Sequence, residues 1–166
     1  MTLGGPAARF GQKHRERLFP DVPLLYAAVD SQLQDMSKLS PLDSIVPLAI
    51  DLAAAPEAAL QLLPDTRNLA IILGSSPLER YWRTRLKGEL ARFEPRLRLI
   101  WLEGLTLEAT TERVADLPPR SAVFLVMLLV DDNGAAYSQS RVLAAVRGAA
   151  KGPVFGIFDT QVGGGI

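Results

Sequence analysis

The stretch NLAIILGSSPLE, residues 68–79, decides the fold class of this sequence. Its first six residues are apolar apart from Asn68, and a continuous run of this length predicts a buried β-strand. Ser76, Pro77 and Glu79 then match a helix start, with serine as the N-cap, proline at the first helical position and glutamate three residues after the cap. A buried strand that turns directly into a helix is the unit from which parallel α/β sheets are built.

The same alternation of strand and helix continues downstream. Ser121–Val130 is the most hydrophobic segment and is continuous rather than alternating, which predicts a central strand with both faces covered. Arg96–Leu102 alternates apolar and polar residues, which favours a strand nearer the edge. Further helices are predicted from the cap Thr106 and over Ser138–Ala150, and a last strand over Pro153–Phe158. We therefore predict an α/β fold with a doubly wound parallel sheet and helices on both faces.

The first third of the chain is less regular. Leu24–Val29 predicts a buried strand, and Ile45–Leu52 predicts a second one that Pro47 weakens. The polar segment Ser31–Asp43 between them is expected to be a linker or crossover. Met1–Arg17 is glycine-rich and then strongly charged, and is expected to be an irregular entry or the end of a helix.

Composition excludes several classes of function. The 166 residues carry 18 basic and 18 acidic side chains, so a broad electrostatic grip on nucleic acid or on an anionic membrane is not expected. The longest apolar run, residues 122–130, is too short to span a bilayer. There is no cysteine, and His14 is the only histidine, so disulfides, thiolate metal sites, cysteine nucleophiles and a histidine-based metal cluster are excluded. We predict no metal site and no cofactor.

The candidate ligand site follows from the topology. Ligands of open α/β sheets bind beyond the carboxyl ends of the strands, near a switch in strand order. Polar residues follow three of the predicted strands at that edge: Ser75 and Ser76, then Asp131 and Asp132, then Asp159 and Thr160. Ser76 is also the expected helix cap, and the two later pairs also suit turns, so each has a purely structural interpretation.

Two aromatic residues on the same helix receive different predictions. Trp82 lies on the apolar stripe and is expected in the core, whereas Tyr81 lies off the stripe and is a candidate contact for a ligand. Enzyme motifs are missing around these residues. No strand is followed by G-x-G-x-x-G and a helix, there is no G-K-[ST], and Gly74–Leu78 lacks the last glycine of a nucleophile elbow. The chain is therefore expected to be non-catalytic.

Three segments resemble the ABC-transporter substrate-binding-protein-like family. They are Leu18–Asp30 with its Pro20-Asp21-Val22-Pro23 motif, Ala58–Arg67 before a strand with Leu73–Pro77 after it, and Gly152–Thr160. The resemblance covers about residues 18–166 and is greatest to the version found as the extracytoplasmic sensor region of bacterial signal-transduction histidine kinases.

The resemblance implies a type I periplasmic-binding-protein fold, with two α/β lobes that close on a ligand. Residues 44–166 would form one ligand-binding lobe, and residues 1–43 would be a piece of the other lobe plus the crossover. Asp30 would approach the ligand from that other lobe. Two complete lobes need more than 166 residues, so we expect a fragment of a longer protein. The resemblance also implies a periplasmic location, although the chain itself carries no targeting signal.

The leading hypothesis is a small-molecule-binding module of a bacterial sensor or ABC transport system. A second hypothesis is a flavodoxin-like or Rossmann-like enzyme domain that binds a nucleotide or flavin at the same loops. A third is an interaction domain that forms a homodimer through an exposed sheet edge.

Overall fold

The structure is a computed structural model of the chain, and it describes residues 1–30, 37, 39–158 and 161. The chain divides into two compact units, Met1–Ile50 and Asp51–Ile166. The strand that begins at Asp43 pairs with the strand before it, so both belong to the first unit. The predicted lobe and lobe fragment, residues 44–166 and 1–43, stay a prediction.

The first unit is a small parallel sheet with two helices. Its elements are β1 (Thr2–Leu3), α1 (Gly5–Lys13), α2 (Arg15–Leu18), β2 (Leu24–Asp30) and β3 (Asp43–Leu48), and the strand order is β1-β2-β3. The buried Arg15 guanidinium joins these elements. Its Nε donates to Asp43 Oδ1 at 3.0 Å, and its Nη2 donates to the Val22 carbonyl at 2.8 Å. Removing either partner of this buried pair would leave an uncompensated charge away from water.

Pro47 does occupy a strand, and the topology explains why. β3 is an edge strand, where the missing N–H of proline costs no ladder hydrogen bond. The pairing register between β2 and β3 shifts at Ala28, which has a positive φ of 52°. This irregularity is a bulge, and it lets the two strands pair on either side of the shift.

The second unit contains α3 (Ala54–Leu62), β4 (Asn68–Leu73), α4 (Pro77–Leu90), a 3-10 turn at Ala91–Phe93, β5 (Arg98–Glu103), α5 (Leu107–Ala115), β6 (Ser121–Met127), α6 (Gln139–Ala149) and β7 (Val154–Gly156). All neighbouring strands are parallel, in the order β5-β4-β6-β7. The prediction of a parallel α/β sheet is confirmed, as are the central position of β6 and the edge position of β5.

Both faces of this sheet are covered. Ala70 and Ile72 of β4 and Val123 and Leu125 of β6 pack with α5 and α6 in one core cluster. The intervening residues of both strands are also buried, and the strand pleat points them to the opposite face. The chain crosses the sheet in one direction from β4 to β5 through α4, and in the other direction from β5 to β6 through α5 and from β6 to β7 through α6. Because such crossovers are right-handed, α4 lies on the face opposite to α5 and α6. Trp82, Leu86 and Leu90 of α4 are buried there, as expected for Trp82.

The N-terminus and the end of β6 differ from the sequence predictions. Residues 1–17 contain the strand β1, all of α1 and most of α2, so the irregular entry is wrong, and the alternative prediction of a helix that ends here is closer to the structure. β6 ends at Met127, although the apolar run continues to Val130, because the amides that follow bond to other groups: Leu129 N–H donates to a side chain, and the Val130 carbonyl accepts from Ser75 N–H. Of these three apolar residues, Leu128 is buried, Val130 is half-buried and Leu129 is exposed, so the hydrophobic run does not by itself predict where the strand ends.

Two leucines test where the core lies. Leu125 is 1% exposed in β6, and Leu62 is 71% exposed at the end of α3. Leu125→Ala should lower the free energy of unfolding by about 2–5 kcal/mol, because it leaves a cavity in the sheet. Leu62→Ala should change it by less than about 0.5 kcal/mol. Urea unfolding of both variants measures this difference, and equal losses would contradict the assigned core.

Candidate ligand site at the carboxyl edge of the second sheet

The strand order places a switch point between β4 and β6. The connection after β4 leads to one side of the sheet, and the connection after β6 leads to the other, so the loops that follow these two strands separate and leave an opening. Ser75 follows β4 and Asp132 follows β6, and the Ser75 hydroxyl lies 3.4 Å from Asp132 Oδ1. Two residues that are 57 positions apart in sequence are thus brought within hydrogen-bond distance at the edge where ligands of this fold class bind.

A third loop reaches the same place. Gly104 follows β5 and has a φ of 66°, a left-handed conformation that glycine adopts without strain. A Cβ at Gly104 would lie 3.9 Å from Asp132 Oδ1, so the loop after β5 adjoins the Asp132 carboxylate. At the carboxyl edge, the Ser75 hydroxyl, the Asp132 carboxylate and the exposed backbone at Gly104 therefore lie close together, each on the loop after a different strand.

The buried carboxylate of Glu79 fixes the two loops that carry Ser75 and Asp132. Glu79 Oε2 accepts from Ser76 N–H at 2.8 Å, and Oε1 accepts from Leu129 N–H at 2.6 Å. Glu79 is fully buried, and Gly74 has no room for a Cβ beside it. The Ser76 hydroxyl accepts from Glu79 N–H, which completes the predicted capping box.

Asp131 organises the loop after β6. The residue is buried, its Oδ1 accepts from the N–H groups of Asn133 and Ala135 at 2.9 Å each, and its Oδ2 accepts from the Tyr137 hydroxyl at 2.9 Å. Burial opposes ionisation of this carboxyl, but the hydrogen bonds from Ala135, Tyr137 and Asn133 together lower its pKa below the usual 3.8. The bond to Asp131 in turn raises the pKa of the Tyr137 phenol. Asp131 thus holds in place the loop that presents Asp132.

Sequence reasoning missed two residues of this edge. Gln161 is buried, and its Oε1 accepts from the N–H groups of Ile157 and Phe158 at 2.8 and 2.9 Å, just after β7. Arg80 lies in the first turn of α4, and its Nη1 donates to the Ser75 carbonyl. Gly156, which has no room for a Cβ beside Gln161, is the sequence signal that could have pointed to such a close contact. Nothing in the sequence pattern singles out Arg80.

An apolar cavity lies next to this edge. It has a volume of about 280 Å³ and is lined by residues at the ends of β6 and β7 and the start of α6: Leu125, Met127, Leu128, Leu129, Gln139, Val142, Phe158 and Gln161. The polar surface around Ser75 and this apolar cavity lie at the same edge of the sheet.

The remaining predicted site residues lie as follows. Tyr81 is half-buried on α4, with its ring edge-on to the ring of Trp82 at a centroid distance of 6.0 Å. Asp30 is the buried last residue of β2 in the first unit. Asp159 and Thr160 lie outside the described residues. The structure therefore brings Ser75, Ser76, Asp131 and Asp132 together, and the ligand contacts predicted for all eight residues stay predictions.

Within the part of the chain that the structure describes, no group of three or more His, Asp or Glu side chains is placed to hold a metal ion. None of the helices described there is long and apolar enough to cross a membrane.

Two solved structures share the fold. A conserved domain protein from Vibrio cholerae O1 biovar eltor aligns over 96% of this chain and 53% of its own, with 18% identity and a TM-score of 0.62. The xylose-binding transcription activator XylR aligns over 91% of this chain and 40% of its own, with 17% identity and a TM-score of 0.52. The chain thus spans about half or less of these proteins. No protein-family model matches the chain, and no curated protein matches it in sequence.

The role of Glu79 can be tested with a matched pair of variants. Glu79→Gln should lower the free energy of unfolding by about 1–3 kcal/mol, because Ser76 N–H and Leu129 N–H bond to different carboxylate oxygens, and the amide nitrogen that replaces one of those oxygens cannot accept. Glu112→Gln, at an exposed position on α5, should change it by less than about 0.5 kcal/mol. Denaturant unfolding measures both, and an unchanged midpoint for Glu79→Gln would contradict the bridging role.

Asp131 gives a prediction for pH. Because its pKa is lower in the folded chain, Asp131 stabilises the fold above pH 3.8, and this contribution is lost as the pH falls through the lower folded value. Tyr137→Phe removes one of the hydrogen bonds and should raise the pKa of Asp131, as followed by NMR of the carboxyl carbon. Tyr81→Phe is the control and should leave the titration of Asp131 unchanged. An unaltered titration in Tyr137→Phe would show that the phenol does not hold this carboxylate.

Proposed function

We propose that the chain is a non-catalytic small-molecule-binding module whose polar contacts come from the carboxyl edge of the second sheet. The observation that carries the proposal is the meeting of Ser75 and Asp132 at the switch point between β4 and β6. The Ser75 hydroxyl and the Asp132 carboxylate lie on preformed loops and suit a ligand with several hydroxyl groups. Each hydroxyl of the ligand can replace its hydrogen bonds to water with hydrogen bonds to these side chains.

The rigidity of the edge supports binding rather than catalysis. The carboxylates of Glu79 and Asp131 accept hydrogen bonds from backbone N–H groups, and Asp131 also accepts one from the Tyr137 hydroxyl. These buried acids therefore hold loops in place. Asp132 is exposed and Ser75 is half-buried, so their polar atoms are accessible at the rim. Preformed loops lower the entropy cost of binding a small ligand.

The similarity to XylR, which is described as a xylose-binding transcription activator, favours a sugar as the first ligand class to test. A fold of the periplasmic-binding-protein type belongs to the same proposal. We also propose that the chain lies outside the cytoplasm. There it would serve as the sensor region of a histidine kinase or as a component of an ABC transport system. Fusion of the chain in its natural reading frame to a compartment-specific reporter tests the location.

Calorimetric titration with pentoses, hexoses, amino acids and nucleosides tests the function. One class should bind saturably, and Ser75→Ala and Asp132→Asn should each weaken it about tenfold, the effect of one lost hydrogen bond to a buried ligand. Ser140→Ala and Asp116→Asn replace exposed residues of the same types on other elements and should leave the affinity unchanged.

Two outcomes of the titration would overturn the proposal. One is the absence of binding in every class. The other is binding that Ser75→Ala and Asp132→Asn leave unchanged. Binding of a flavin or nucleotide that these two variants abolish would instead favour the enzyme hypothesis.

A further inference from the structure

A second, chemically different cavity lies at the amino edge of the second sheet. It has a volume of about 610 Å³, within the range of small-molecule sites. Three connections form it: the loops from α3 to β4, from α5 to β6 and from α6 to β7. Its apolar lining includes Leu63, Val114, Leu117 and Val123.

One wall of this amino-edge cavity is held by hydrogen bonds from Arg67 and from the first residue of β4, Asn68. The Arg120 carbonyl accepts from Arg67 N–H at 2.9 Å and from Asn68 N–H at 3.2 Å. The buried Asn68 side chain donates to the Pro119 carbonyl at 3.2 Å. On the other wall, Gly152 lies so close to the Ser121 carbonyl that a Cβ would not fit. The cavity is therefore preformed by backbone contacts and does not depend on a ligand for its shape.

Two cations line this apolar cavity. Arg120 and Lys151 take part in no ion pair or side-chain hydrogen bond with any residue that the structure describes. Asp65 also lines the cavity, but it is not within ion-pair distance of either cation, which leaves the lining with a net positive charge.

The backbone of Arg120 is a separate observation. Its φ is 61°, a left-handed conformation that glycine or asparagine adopts more readily than arginine. Such a conformation at a non-glycine residue is a reason to ask what the side chain contributes at that position. An arginine there places a permanent positive charge at the mouth of an apolar cavity.

We propose that the amino-edge cavity is a second ligand site that takes an amphiphilic carboxylate of the fatty-acid type. The hydrocarbon chain packs against the leucine and valine lining, and the carboxylate bonds to Arg120 and Lys151. Apolar burial and a charge-assisted hydrogen bond are both needed, so a molecule with only one of the two features binds more weakly. This site is independent of the carboxyl-edge site, which lies at the opposite ends of the same strands.

Titration with decanoate below its micelle-forming concentration tests the proposal. Saturable binding of one decanoate per chain is expected, together with chemical-shift changes at Val114, Leu117 and Val123. Arg120→Gly should weaken the affinity about tenfold or more, the effect of one lost charge-assisted hydrogen bond. Glycine suits the left-handed backbone at this position, so the variant keeps its fold. Lys151→Gln should weaken binding in the same direction.

The controls separate charge, chain and site. Arg96→Gln removes an exposed cation that lies outside the lining, and it should bind decanoate like the wild type. Ser75→Ala should also bind it unchanged, which keeps this result distinct from the carboxyl-edge site. Decanol and decylamine should both bind more weakly than decanoate. Failure of decanoate to bind, equal binding of decanol, or unchanged affinity in both Arg120→Gly and Lys151→Gln would overturn the proposal.

Discussion

The carboxylate of Glu79 is the contact on which the carboxyl edge of the second sheet depends. It accepts one N–H from the start of α4 and one from the residues after β6, so a single buried side chain joins the two loops on either side of the switch point. Parallel strands leave N–H and C=O groups without ladder partners where they end, and a buried edge tolerates this only if other groups bond to them. Glu79 meets that requirement and, in doing so, fixes where Ser75 and Asp132 lie.

The same constraint recurs along the edge. Asp131 accepts from backbone N–H groups after β6, and Gln161 accepts from those after β7. Each of these side chains is buried among polar partners, while Ser75 and Asp132 remain accessible. The side chains that hold the loops, Glu79, Asp131 and Gln161, are therefore different from the accessible ones, Ser75 and Asp132, although each set includes a carboxylate. A buried, fully bonded carboxylate orders the loop around it, whereas an exposed one keeps oxygen atoms accessible to another molecule.

The two edges of one sheet differ in chemistry for a topological reason. At the carboxyl edge, strands pass into helix N-termini, whose N–H groups favour capping by Ser76, Thr106 and Ser138 and leave a polar rim. At the amino edge, helices end and prolines at positions 118, 119 and 153 lead back into strands, so the surface between them is apolar. A polar ligand at one edge and an amphiphilic one at the other are consistent with this division.

The sequence by itself determined the fold class, the central place of β6, the Ser76 cap and the core position of Trp82, because hydrophobic runs and capping boxes are local signals. Asp131 and Asp132 are identical neighbours in sequence, but Asp131 is buried and Asp132 is exposed. Only the tertiary structure decides this difference, because burial depends on the direction in which each side chain leaves the loop. The Glu79 bridge, the Gln161 contacts and the cations of the amino-edge cavity were likewise decided by tertiary structure. Each joins residues far apart in the chain, and no local pattern records which loops a fold will bring together.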